Sequence, residues 1–291
     1  MRSLRVGLLI GIALCILAAS AGIAAEGETY IYKGSALNEC GITAGGWGSG
    51  KAAESKEHML TGNYSVKLTT QSLYSGGRLD FDQPVPLYTG SIDTAKYVVF
   101  GLFFADVRTV DPAAETNYSS DAEPYVMPKA GKMRFVFVSA EGQKISVDEP
   151  TNPVDPDDNW VRVAVPLSKL KAAGDTFSLK RLLIFTDIPS TIYLGDMRIV
   201  TDSAPIKVDS LESQSVAVPD LVAFVAHAQA GISSLVYSWD YDSKNGIQAD
   251  STGKIGKYVY TKEGEYVVTL TVSDADGVKA PVSVVASVSV Q

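Results

Sequence analysis

The sequence predicts an all-β chain built as two successive sandwiches. Two observations carry this. The stretch Trp160 to Thr201 breaks into short β-branched and aromatic runs, Trp160–Leu170, Arg181–Asp187 and Thr191–Val200, each bounded by Pro, Gly, Asp or Ser. Runs of that length and composition are strands of a sandwich, not helices. At Ser203-Ala-Pro-Ile206 the pattern then changes to still shorter alternating strands separated by turns. That spacing suits a second, smaller sandwich after the boundary.

The 291 residues are enough for two ordinary domains, and 46% apolar with 20% charged residues is a globular composition. Arg2 and Arg5 precede an apolar run from Val6 to Ala19, with small residues through Ala25. This pattern predicts a signal peptide over 1–25 and a mature chain that starts near Glu26, secreted or held at the cell surface. The apolar run is short for a retained anchor, and nothing after residue 25 is long and apolar enough to span a bilayer. Leu14 stands where a lipoprotein site at Cys15 would want a small residue. Arg2 and Arg5 are two of the 25 basic side chains, and the segment holds none of the 33 acidic ones, so cleavage takes the net charge from −8 to −10. An acidic mature chain argues against nucleic acid and anionic membrane as partners. Cys40 is then the single cysteine, which excludes an internal disulfide and leaves either a buried thiol or one that pairs between chains.

Taken in order, Glu28–Lys33 alternates as a first strand. Cys40–Gly50 is so rich in glycine that it reads as a loop. Trp47 in its middle has two readings, an exposed stacking ring or a ring that folds the loop back onto the sandwich. A turn at Gly62-Asn63 leads into a strand with Val66 and Leu68 inward. Tyr74–Asp82 then puts Leu79 and Phe81 on one face and Arg78, Asp80 and Asp82 on the other, a face that either is simply solvated or hydrogen-bonds a ligand. Tyr97–Phe104 is apolar on both faces and reads as a central strand, with Lys132–Ser139 as its partner. Between them, Ala105–Gly131 carries three prolines, Arg108, Tyr118 and Tyr125, and no clear periodicity. An insert that long in a compact domain is usually functional or disordered. Asp148–Asp158, acidic and proline-rich, reads as a Ca²⁺ loop or as a loop fixed by its prolines.

Two resemblances follow from particular residues. Trp160 leading a strand into Pro166-Leu-Ser168, then Ile192-Tyr-Leu-Gly-Asp-Met-Arg-Ile199, resembles the end of carbohydrate-binding-module jelly rolls with the galactose-binding-like fold. That likeness covers roughly residues 28–201. Tyr237-Ser-Trp-Asp-Tyr-Asp242, then Lys257 to Gly277 with its Tyr260-x-x-x-Gly-x-Tyr-x-Val-x-Leu and Asp-x-Asp-Gly elements, resembles a PKD domain, an immunoglobulin-like module of extracellular proteins. Asp242-Ser-Lys-Asn-Gly246 stands where Gly-Asp-Gly is common. The expected organisation is therefore a signal peptide (1–25), a jelly-roll domain (26–203) and a PKD domain (204–291). The first resemblance implies a Ca²⁺ held by Asp196 and Glu28. In the second domain Asp240, Asp242 and Asn245 form a D-x-D-x-x-N-G turn that either binds Ca²⁺ or bonds its own backbone, and the PKD resemblance adds the Asp274/Asp276 turn.

Catalytic signatures are missing from the sequence. His58 and His227 fall in different domains, which argues against a histidine metal cluster, and His227 reads as a partly buried strand residue. There is no Gly-x-Ser-x-Gly elbow, P-loop or dinucleotide glycine motif. No strand carries a tight pair of acids of the kind a glycosidase needs. The expectation is a non-catalytic binding protein that recognises glycan on the first domain, with the PKD domain as spacer or interaction module. Trp47, Tyr118 and Tyr125 would stack on sugar rings, and Arg78 and Asp80 would supply directional hydrogen bonds. The alternatives are a structural or adhesive protein that contacts extracellular proteins, and a polysaccharide-active enzyme. The discriminator is where the aromatic rings stand: exposed over a groove, or buried.

Overall fold

The computed structural model describes residues 28–91, 93, 95–112, 114 and 124–291. The expected signal segment and Tyr118 lie outside them.

The first domain is a two-sheet sandwich. Its strands are β1 (Thr29–Tyr32), β2 (Ile42–Trp47), β3 (Lys51–Ser55), β4 (Ser65–Thr70), β5 (Gly76–Thr89), β6 (Lys96–Phe104), β7 (Val107–Val110), β8 (Tyr125–Pro128), β9 (Lys132–Ser139), β10 (Lys144–Pro150), β11 (Val161–Pro166), β12 (Thr176–Thr186) and β13 (Ser190–Thr201). One sheet runs β11-β6-β13-β4-β3, with β1 also on β13, and the other runs β10-β9-β12-β5-β2. Strict alternation decides which side chains enter the core. Val66 and Leu68 on β4, Leu79 and Phe81 on β5, and Met133, Phe135 and Phe137 on β9 are all buried there.

Three expectations are corrected. The glycine-rich Cys40–Gly50 stretch is not a plain loop: Ile42–Trp47 pairs in register with β5, from Ile42↔Phe81 to Trp47↔Gly76. Its glycines serve close backbone approach. A Cβ on Gly50 would lie 2.3 Å from the Gly76 Cα, and one on Gly46 would lie 2.2 Å from the Gly50 carbonyl oxygen. The Ala105–Gly131 insert is not structureless at its ends, because β7 pairs antiparallel with β8, Val107↔Pro128 to Val110↔Tyr125. Lys132–Ser139 is not a lateral partner of Tyr97–Phe104. The two strands lie in opposite sheets and meet across the core, where Phe100 stacks on Phe135 with centroids 4.4 Å apart. The outer face of β6 is apolar at its Tyr97–Val99 end because the second domain covers it there: Tyr97, Val99, Ala164 and Val200 pack with Ile232 and Val278.

The second domain contains β14 (Lys207–Val208), β15 (Gln214–Val216), β16 (Leu221–Val225), β17 (Ala228–Gln229), β18 (Leu235–Asp240), β19 (Ser251–Thr252), β20 (Ile255–Val259), β21 (Gly264–Asp274) and β22 (Val282–Val290). One sheet runs β15-β22-β21-β18-β19, with β15 parallel to β22, and β16-β20 lies apart from it. Trp239 is fully buried between Phe224 and Tyr241 and donates its indole N–H to the Gly253 carbonyl at 2.8 Å. A Cβ on Gly256 would come within 2.6 Å of that indole, so glycine there lets the ring seat. His227 is exposed and lies between β16 and β17 rather than in a strand.

Candidate functional site

The outer face of the β10-β9-β12-β5-β2 sheet carries a pocket of about 220 Å³. Its floor is Val136 and Val138 of β9 with Leu183 and Phe185 of β12. These alternate with the core residues Phe135, Phe137, Leu182 and Ile184, so β9 and β12 are apolar on both sides here. Trp47 at the end of β2 and Tyr74 in the β4–β5 connection form the aromatic wall. Trp47 is 38% exposed and Tyr74 is 75% exposed. Rings this exposed are not core residues. Serine hydrogen bonds brace the Trp47 turn: the Ser49 N–H and hydroxyl bond the Ser75 hydroxyl at 2.9 and 2.8 Å.

The polar rim is cationic. Arg134, Lys144 and Arg181 line the pocket and no carboxylate does. Two acids beside it hold the arginines in place. Asp148 takes a bidentate pair from Arg134 at 2.6 and 2.8 Å. Asp80 accepts from Arg181 and lies 2.9 Å from Arg78 Nε. Hydrogen bonds from Arg134 keep the Asp148 carboxyl below its usual range and raise the Arg134 guanidinium, so both stay charged. The Arg134 guanidinium also lies 5.2 Å from the Tyr74 ring centroid. Gly45 leaves room for Arg78, whose terminal nitrogen would be 3.0 Å from a Cβ there. Lys144 has no ion-pair or hydrogen-bond partner among the described residues.

The expected binding residues are placed as follows. Trp47, Arg78 and Asp80 share this one face. Tyr125 does not join them: it stands at the junction with the second domain, where Lys254 Nζ lies 4.8 Å above its ring. Its position follows from the β7–β8 pairing, which sets Tyr125 opposite Val110. Tyr74, Arg134, Lys144 and Arg181 were missed by the sequence reading. The available signal was Arg181–Phe185, where Leu183 and Phe185 make the outward face apolar in a strand whose inward face is already apolar.

The expected calcium donors do not fit a cation cage. The Arg198 guanidinium stands between the two acids of the first domain, 2.7 Å from Asp196 Oδ2 and 3.7 Å from Glu28 Oε1. Asp196 Oδ1 accepts the Gly101 N–H at 3.0 Å. In the second domain both Asp240 oxygens accept backbone N–H groups, from Asp242 and Gln248, and Asp242 accepts from Lys244. Asn245 closes the same turn with its own N–H to the Asp242 carbonyl. In the proline-rich loop Asp155 and Asp158 clasp Arg162 at 2.7 Å each. Among the described residues no three His, Cys, Asp or Glu side chains group as metal ligands.

By architecture the molecule is an all-β protein whose second sandwich is immunoglobulin-like. Residues 202–290 match the family model described as PKD domain, a match confined to that second sandwich. No curated protein matches the chain. Among solved structures it is similar to the PKD domain of human KIAA0319, at 19% identity over 30% of this chain and 82% of that one, with a TM-score of 0.25. It is also similar to the CBM22-1–GH10 modules of Clostridium thermocellum xylanase 10B complexed with xylohexaose, at 11% identity over 66% of this chain and 33% of that one, TM-score 0.32. A third is the glycoside hydrolase domain of Endo-D from Streptococcus pneumoniae R6, at 12% identity over 84% and 36%, TM-score 0.30. The chain spans about a third of the length of the last two. Among the described residues no helix is long and apolar enough to cross a membrane.

Proposed function

We propose that the protein is a non-catalytic, extracellular glycan-binding protein whose ligand lies on the outer face of the β10-β9-β12-β5-β2 sheet. The observation that carries this reading is the exposed pair Trp47 and Tyr74 beside an apolar floor with directional donors at its rim. Sugar rings present apolar C–H faces and polar edges, and the pocket offers a partner for each. The second domain is a spacer that holds this face in position. A non-catalytic role is supported by the pairing of the nearby acids: Asp80 and Asp148 are both committed to arginines.

The test is affinity electrophoresis of the mature full chain through gels containing a panel of polysaccharides. Trp47→Ala with Tyr74→Ala should weaken retention several-fold, since each stacked ring contributes about 1 kcal/mol, and leave the melting temperature nearly unchanged. A melt many degrees lower would make the rings structural. Unaltered retention would put the ligand elsewhere.

A further inference from the structure

The geometry points to an acidic glycan, one whose sugar rings carry carboxylates, as the ligand of this face. The inference rests on the reading above and narrows it. Three cations line the pocket and no acid does, although the chain as a whole has 33 acidic side chains against 25 basic ones. A local charge opposite to the overall sign is what charge complementarity with an anionic partner requires.

Lys144 and Arg181 flank Val138 from the strands on either side of β9, and Arg134 stands four residues further along the same strand. Asp148 engages the Nε and one terminal nitrogen of Arg134, and Asp80 engages the Nε of Arg181. Each guanidinium is thereby fixed in orientation while other N–H groups remain to donate. A planar fork with free donors matches a carboxylate, which accepts two parallel hydrogen bonds. Lys144 has no partner of its own among the described residues, so its charge is available to the ligand. The apolar floor and the Trp47 and Tyr74 rings hold the sugar ring while the rim takes its carboxylate. A neutral glycan would leave the Lys144 charge uncompensated. An acidic peptide would supply the charge without a pyranose face for the aromatic wall.

The experiment measures binding of the mature full chain to polygalacturonate, alginate and hyaluronate, each beside its carboxyl-reduced neutral form, with poly-L-glutamate as the peptide arm. At least one uronate polymer should bind, its reduced form should bind roughly tenfold more weakly, and affinity should fall as salt is raised. Lys144→Gln, an exposed change that leaves the fold intact by its melt, should weaken uronate binding by about tenfold. Equal affinity for a reduced polymer would overturn the acidic inference and leave glycan binding standing. Poly-L-glutamate binding as tightly as any uronate would assign the face to acidic peptide. Retention on neutral polysaccharides alone would overturn the inference, and no retention on any polysaccharide would overturn both readings.

Discussion

Lys169 of the first domain is ion-paired with Asp276 of the second, and the same ammonium lies 2.9 Å from Glu149 Oε1. Both carboxylates are buried, and Glu149 Oε2 has no hydrogen-bond partner among the described residues. One ammonium cannot neutralise two buried acids, so the cluster keeps a proton near neutrality and titrates as a unit. Burial, with the Asp276 charge nearby, pushes the Glu149 carboxyl up to about 7 from an ordinary 4.5. Burial also raises Asp276. The folded state therefore binds this proton more tightly than the unfolded chain does. The stability it contributes is fully present below about pH 4.5 and is lost as pH rises through about 7. Asp148, lowered by its bonds from Arg134, acts oppositely but in a more acidic range. The full chain should therefore melt lower at about pH 8 than at about pH 5 through this cluster. Glu149→Gln should flatten the difference, and an undiminished slope in that variant would remove the account.

Gly50→Ala should destabilise the first domain by about 2 kcal/mol or more, because the added carbon meets the Gly76 backbone, which has nowhere to retreat. Gly45→Ala should cost far less, since its contact is the movable end of Arg78. Chemical denaturation of the two variants checks the ordering. Similar losses in both would contradict the close-approach account of the glycine-rich strand.

The two tryptophans should behave oppositely. Trp239→Ala empties the centre of the second domain and should cost about 3–5 kcal/mol. Trp47→Ala removes a ring that is 38% exposed and should cost about 1 kcal/mol or less. Thermal melts with fluorescence at the remaining tryptophans separate them. A large loss from Trp47 would favour a buried, structural ring.

Calcium should leave the melting temperature unchanged when millimolar Ca²⁺ is replaced by excess EDTA. Arg198 already compensates Asp196, and both Asp240 oxygens and one Asp242 oxygen accept backbone N–H groups. A rise of several degrees with Ca²⁺ would show that these groups rearrange around an ion. Arg198→Met would then be informative, since it leaves Asp196 buried without its cation.

Alternation made the strands legible where one face is core. Val66, Leu68, Leu79 and Phe81 point inward as their spacing requires, and the Trp239 element marks the heart of the second sandwich. The glycine-rich strand was illegible because the reason for its glycines, the backbone of Gly76, is 26 residues away in sequence from Gly50. Apolar residues on both faces of β6 and β12 were visible, but not what lies against them: the second domain in one case, the open pocket of the outer face in the other. Tyr125 could not be placed because the turn of its hairpin depends on the pairing with β7. The rim arginines lie on strands separated by tens of residues, and only the sheet order of β9 and β12 brings them together.

The parallel pairing of β15 with β22 has a mechanical consequence. Gln214, Ser215 and Val216 run beside Val288, Ser289 and Val290 in the same direction. Tension applied at residues 202 and 291 pulls these strands along their own length in opposite senses. Their hydrogen bonds then bear the load together, in shear, and must fail at once. In the first domain Thr29 faces Ile199 in an antiparallel pair, so tension at residues 28 and 202 peels β1 from β13 one bond after another. Stretched between two anchors, the chain would give way first at its first domain and last at its second.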